Sequence, residues 1–177
     1  MNWNLILTMP DKKNKTIVTN TSPLIALVAA WDSLEPLRHL YQSVKVPKEV
    51  SDEILTGGSS NFGIKAFEAA DFLEVAQHPT AISSYLSNSL DKGEAAVIQL
   101  ALDQQIETVC IDETIGRRIA RMNALTLTGS MGILARYKRE LESDFSLVQA
   151  VNRMQSKGIR LGDNIIQFAL IQDKNHE

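Results

Sequence analysis

At 177 residues, 44% hydrophobic and 22% charged, the chain has the size and balance of one ordinary globular domain. Its formal charge, 18 Lys and Arg against 21 Asp and Glu, is −3, which excludes bulk polycation attraction and leaves only local contacts for any nucleic acid. One cysteine excludes an internal disulfide and fits a reducing cytoplasm, and the longest apolar windows are too short for a transmembrane span.

Residues 1–14 lack the basic start and long apolar core of a signal peptide and read as a poorly ordered leader, followed by a single domain over 15–172 and a tail over 173–177. "TIVTN" is a β-branched run and predicts a strand, and "TSPLIALVAAW" predicts a helix with Ser22 as N-cap and Pro23 in its first turn. "EPLRHLYQ" continues helically, and "SVKVP" is a short strand closed by Pro47. "KEVSDEILTGG" predicts a helix stopped by Gly57 and Gly58, followed by a helical "NFGIKAFEAADF".

"LEVAQ" reads as a strand, "TAISSYLSNSL" as a helix, and "DKGEAAVIQLALDQQ" as an amphipathic helix with Ala95, Ile98, Ala101 and Leu102 on its apolar side. Three further pairs of expectations follow: strand "ETVCID" with helix "ETIGRRIARMN", strand "ALTLTG" with helix "SMGILARYKRELES", and the closing helices "SLVQAVNRMQSKG" and "DNIIQFALIQ". Cys110, inside "TVCI", reads as a small buried thiol. Ile165, Ile166, Phe168, Ala169 and Ile171 read as core, the other outcome being burial against a second chain.

Short Val, Ile and Thr-rich strands alternating with longer helices predict an α/β fold, a parallel doubly wound sheet with helices on both faces. In such sheets the site lies beyond the carboxyl ends of the strands. That rule selects Asn20 after "TIVT", Asp112 after "TVCI" and Glu94 at the start of the long helix, with Glu53 on "KEVSDEIL" as a fourth. Two to four oxygen donors from separate elements suffice for Mg²⁺ or Mn²⁺, which retain several waters.

Each has a plainer reading. Asp91 and Glu94 form a D-x-x-E capping box, Asp112 precedes a helix as an N-cap would, Asn20 fits a turn, and Glu53 fits a solvated helix face. Arg117, Arg118 and Arg121 on one helix, and Arg136, Lys138 and Arg139 on the next, are either phosphate contacts or solvated faces. "TGSMGILAR" reads as a capped helix start that places Ser130 near the site, since G-x-G-x-x-G is absent.

"IVTNTSPLIAL", "VKVPKEVSDEIL", "LDKGEAAVIQLAL", "VCIDETIGRRIA" and "LTLTGSMGILARYKRE" together resemble the PIN-domain superfamily over about residues 16 to 157, closest to the DUF3368 branch related to VapC-type toxin ribonucleases. The resemblance implies a three-layer α/β/α fold whose acids bind Mg²⁺ or Mn²⁺ and cleave single-stranded RNA. It places Asn20 at the first acid's position, and matches Glu53, Glu94 and Asp112 to the others, with Ser22 as the hydroxyl that follows the first. As implied roles, Asn20, Glu53, Glu94 and Asp112 are candidate catalytic residues; Glu94, Asp112 and Asn20 are candidate metal ligands; Arg117, Arg118, Arg121, Ser22 and Ser130 are candidate RNA contacts. Partners implied are RNA, a small antitoxin and a second copy of the chain. Asn20 departs from the pattern by one carboxylate, which leaves a catalytically weak or inactive module binding RNA or a protein as the alternative. A phosphohydrolase or receiver-like protein is disfavoured, because "TNTS" offers no aspartyl nucleophile.

Overall fold

In the computed structural model, residues 15–57 and 62–174 are described. The expected leader, Gly58 and Asn61, and the tail from residue 175 lie outside them.

Five strands form one all-parallel sheet: β1 (Thr16–Thr19), β2 (Ser43–Val46), β3 (Leu73–Val75), β4 (Thr108–Cys110) and β5 (Thr126–Thr128), in the order β3-β2-β1-β4-β5. The central strands are apolar on both faces because helices cover both: Ile17, Val18, Val109, Cys110 and Ile111 are all at most 1% exposed. Cys110 is the buried thiol expected, and burial pushes its pKa well above the ordinary thiol range.

The helices among the described residues are α1 (Thr21–Trp31), α2 (Pro36–Leu40), α3 (Lys48–Leu55), α4 (Phe62–Ala69), α5 (Ser84–Ser89), α6 (Lys92–Asp103), α7 (Thr114–Met122), α8 (Ser130–Glu140), α9 (Leu147–Ser156) and α10 (Asp163–Lys174). α6 packs directly on β1 and β4, with α3, α5 and α7 beside it, while α1 joins α8 and α9. No helix of the described residues is long and apolar enough to cross a membrane.

Several local expectations shift. α1 begins at Thr21 with Asn20 as N-cap residue, not Ser22; Pro23 is equally at home at the third position, since none of the first N–H groups has a partner inside the helix. "EPLRHLYQ" does not continue α1, because Asp32 turns left-handed (φ 61°) and Pro36 opens the separate α2. The predicted helix from Thr80 starts only at Ser84: the Thr80 amide and hydroxyl are bound to Glu49 at 2.7 and 3.0 Å. On α6, Ala95, Ile98 and Ala101 are fully buried but Leu102 is 38% exposed, the inward stripe passing through Ala96 and Val97 instead. α10 reaches Lys174, so Asp173 and Lys174 form its last turn and not a tail. Within α10, Ala169 is buried, Ile165, Ile166 and Phe168 are half-buried, and Ile171 is exposed.

Candidate active site

The strand order reverses between β1 and β4, and the carboxyl ends of these two strands lead into Asn20 and Asp112. The Asn20 N–H donates to the Cys110 carbonyl at 3.1 Å, continuing the ladder one step past β1 and fixing where the side chain emerges. Asn20 is 4% exposed and its side chain caps nothing. Its Nδ2 instead donates to Glu113 Oε2 at 3.4 Å, while Oδ1 faces α6. A turn residue would point its amide at a neighbouring backbone group; this one joins an acid cluster.

The first two residues of α1 each orient one acid. Thr21 Oγ1 donates to Glu53 Oε2 at 2.6 Å, and Ser22 Oγ donates to Glu113 Oε1 in a very short bond. Glu53 projects from α3 and Glu113 is the residue before α7. A Cβ on Gly93, at the start of α6, would stand 3.1 Å from Asn20 Oδ1, 3.2 Å from Glu53 Oε2 and 3.6 Å from Asp91 Oδ1. Three oxygens from three elements thus converge on one point, and only a glycine leaves it open.

The capping box of α6 is half made. Asp91 Oδ1 accepts from the Glu94 N–H at 2.8 Å, so Asp91 is the cap. The return contact, from the Asp91 N–H to the Glu94 carboxyl, lowers the Glu94 pKa less than burial and the neighbouring charges raise it. Glu94 is 5% exposed and its Oε1 has no hydrogen-bond partner. Burial, then the charges of Asp91 and Glu113, push its pKa up to about 7.

Asp112 does not cap α7 either. Its Oδ1 accepts from the Ser130 N–H at 2.8 Å, across from α8. Although part of Asp112 opens to solvent, protein atoms surround the carboxyl closely enough that desolvation raises its pKa against the opposing hydrogen bonds from Ser130. Ser130 is 3% exposed and therefore holds Asp112 in place from below.

Of the arginines named from sequence, Arg117 donates through Nη1 to the carbonyls of Ile111 (2.7 Å) and Thr128 (3.1 Å), tying the ends of β4 and β5. Arg118 and Arg121 are exposed, with no ion pair among the described residues. On α8, Arg136 pairs with Glu140 and stacks over Tyr41, Arg139 pairs with Glu140, and the 5%-exposed Lys138 pairs with Asp173.

A cleft of about 1080 Å³ opens over this end of the sheet. Glu53, Asp112 and Glu113 stand on one wall, and Arg160, Ile165 and Phe168 from the α9–α10 connection and α10 on another. Sequence reasoning missed Glu113, whose only signal was the acidic doublet closing the β4 run, and Arg160, which nothing in the local pattern marked.

Among the described residues, no three His, Cys, Asp or Glu side chains stand close enough together to enclose a metal ion. The donors are nevertheless of the right kind: hard oxygens, one of them buried and unpartnered, with the charges of Asp91 and Glu113 adding to burial in raising the Glu94 pKa. Mg²⁺ is commonly held by only one or two carboxylates with waters completing the shell, so the residues fit such an ion.

A family profile, DUF3368: PIN domain, matches residues 16–175. No curated protein matches the chain significantly.

Proposed function

The chain belongs to the PIN-domain family DUF3368, a nuclease-type fold, and from that premise we propose that it is a metal-dependent endoribonuclease acting on single-stranded RNA. The observation that carries the proposal is Glu94 Oε1, buried without a partner and beside two further acids. Burial of a carboxylate without compensation is costly, and a divalent cation is the partner that relieves desolvation and repulsion together.

Glu94 and Asp112 would hold the ion, with Asn20 and Glu53 assisting directly or through water. When bound, the ion would neutralise charge on the scissile phosphate and bring the pKa of a water down toward neutrality. The chain's own groups do the rest. Thr21 and Ser22 fix the rotamers of Glu53 and Glu113, Ser130 fixes Asp112, and Arg117 keeps the ends of β4 and β5, which lead into Asp112 and Ser130, in register. The apolar wall of Ile165 and Phe168 offers a face on which an unpaired base can rest, which favours single strands over duplex. Arg160, exposed on the same wall, is placed for a phosphate.

Family likeness supports a further part of this reading: the chain is the toxin of a toxin–antitoxin pair, restrained by a small antitoxin and paired with a second copy. Asn20 favours one other reading, a PIN fold that binds RNA or protein without cutting.

Calorimetry with Mn²⁺ on chelator-stripped protein separates them, followed by cleavage of a fluorescent single-stranded RNA pool. Saturable binding and metal-dependent cutting, both lost in Asp112→Asn, are expected. Cutting at the wild-type rate by that variant would overturn the assignment, and RNA binding that ignores chelator, without cleavage, would establish the binding module.

A further inference from the structure

The acid that position 20 lacks stands one hydrogen bond away. Asn20 Nδ2 donates to Glu113 Oε2 at 3.4 Å, so the Glu113 carboxylate lies beside the place that an aspartate at position 20 would give its own. Glu113 is not there as a helix cap: it is the N-cap residue of α7, yet its side chain makes no cap bond. Both its oxygens are turned to α1, Oε1 to Ser22 and Oε2 to Asn20. Having an amide at position 20 is what allows this. The Nδ2 arm holds Glu113, and the Oδ1 arm is left beside Gly93, where Glu53 Oε2 also approaches. An aspartate there would face Glu113 with like charge at hydrogen-bond range, which two carboxylates do not tolerate without a proton or cation between them.

We propose that Glu113 carries the negative charge that Asn20 does not, so that the site keeps its full charge with one acid moved from the end of β1 to the start of α7. Glu113 is therefore a positioning and charge-supplying residue for the divalent ion, and this rests on the cation reading given above. A purely structural Glu113 would need only its hydrogen bonds; a charge-supplying one needs its charge, but not at that position.

The test is a charge swap read by Mn²⁺ calorimetry on the stripped, full-length chain, with thermal melts to verify folding. Glu113→Gln keeps length and acceptor oxygen and should weaken Mn²⁺ binding roughly 10–100-fold. The double variant Asn20→Asp, Glu113→Gln returns the charge to β1 and should recover wild-type affinity. If Glu113→Gln melts early, Glu113→Asp, which keeps the charge on a shorter arm, takes its place and should hold Mn²⁺ nearly as tightly as wild type; a tenfold or greater loss in that folded variant overturns the relocated charge. Wild-type affinity in the singly substituted protein overturns the relocated charge while leaving the cation site intact. A folded double variant as weak as the single one overturns it as well. No Mn²⁺ binding by the wild-type protein removes the cation reading itself, and this inference with it.

Discussion

Glu94 Oε1 lies 2.6 Å from where a Cβ would stand on Gly116, so the carboxyl of α6 reaches its place only because α7 carries a glycine there. Ile111 Cγ2, at 2.9 Å from the same point, closes the other side. Alanine is the better helix former by about 1 kcal/mol, but forcing a methyl against a buried carboxyl and a core isoleucine costs about 1–3 kcal/mol. Gly116→Ala should thus lose about 1 kcal/mol net in urea denaturation, and its Mn²⁺ affinity should fall. A stabilised variant with wild-type Mn²⁺ binding would show that Glu94 has another place to go.

Glu94 also sets a pH signature. Its folded pKa of about 7 stands above the ordinary 4.5, so below 4.5 it is protonated folded and unfolded alike and costs nothing. Between 4.5 and about 7 the unfolded chain ionises first, and the metal-free native state loses stability as pH rises; above 7 the loss levels off. Glu94→Gln removes that slope. The variant should be more stable than wild type at pH 8 by about 3 kcal/mol, with the difference vanishing near pH 4. Adding Mn²⁺ should reverse the order at pH 8, because only the wild-type protein has the carboxylate. Parallel stability curves for the two metal-free proteins would refute the buried-carboxyl account.

Much of this arrangement was legible in the residues and some was not, for physical reasons. Strands and parallel order followed from β-branched runs alternating with helices, and the rule of strand ends then selected Asn20 and Asp112. The D-x-x-E of Asp91 and Glu94 was undecidable locally, since a returning cap and an inward-pointing acid need the same spacing; the close approach of Gly116 decides it. Ser22 reads as an N-cap because a hydroxyl before proline commonly is one, but its partner Glu113 is 91 residues away. Arg117 looks like its neighbours on a basic helix, and only its bonds to the Ile111 and Thr128 carbonyls distinguish it. Non-local partners assign these roles, and they become visible only once the sheet has been assembled.

That distinction separates the arginines by experiment. Arg117→Ala takes this donor from the Ile111 carbonyl, while the Thr128 carbonyl keeps the Ile111 N–H at 3.1 Å, and should cost about 1–3 kcal/mol in denaturant titration. Arg118→Ala and Arg121→Ala remove exposed, unpaired side chains and should change stability by less than about 0.5 kcal/mol. If the α7 face meets RNA, the latter two lower affinity for single-stranded RNA and flatten its salt dependence. A wild-type melt for Arg117→Ala would show that its carbonyl contacts are dispensable.

The placing of Ile165 and Phe168 in the cleft depends on one carboxylate that does not line it. Asp173, in the last turn of α10, accepts from the N–H groups of Leu147 and Val148 at 3.0 Å each and from Ser146 Oγ at 2.8 Å, capping α9 from outside. It also pairs at 3.2 Å with Lys138, whose side chain is 7% exposed. Although desolvation opposes it, these donors hold the Asp173 pKa below the ordinary 3.8. Asp173→Ala leaves a buried ammonium with only the Phe145 carbonyl, 2.8 Å away, and should cost about 3 kcal/mol. Adding Lys138→Met should restore part of that loss, because an apolar replacement removes the unpaired charge. Since α10 packs chiefly on α9 and brings Ile165 and Phe168 to the cleft, its amides should exchange hydrogen faster in the single variant. RNA affinity should fall while Mn²⁺ binding stays unchanged. Unaltered exchange across α10 would show that its apolar contacts alone hold it down.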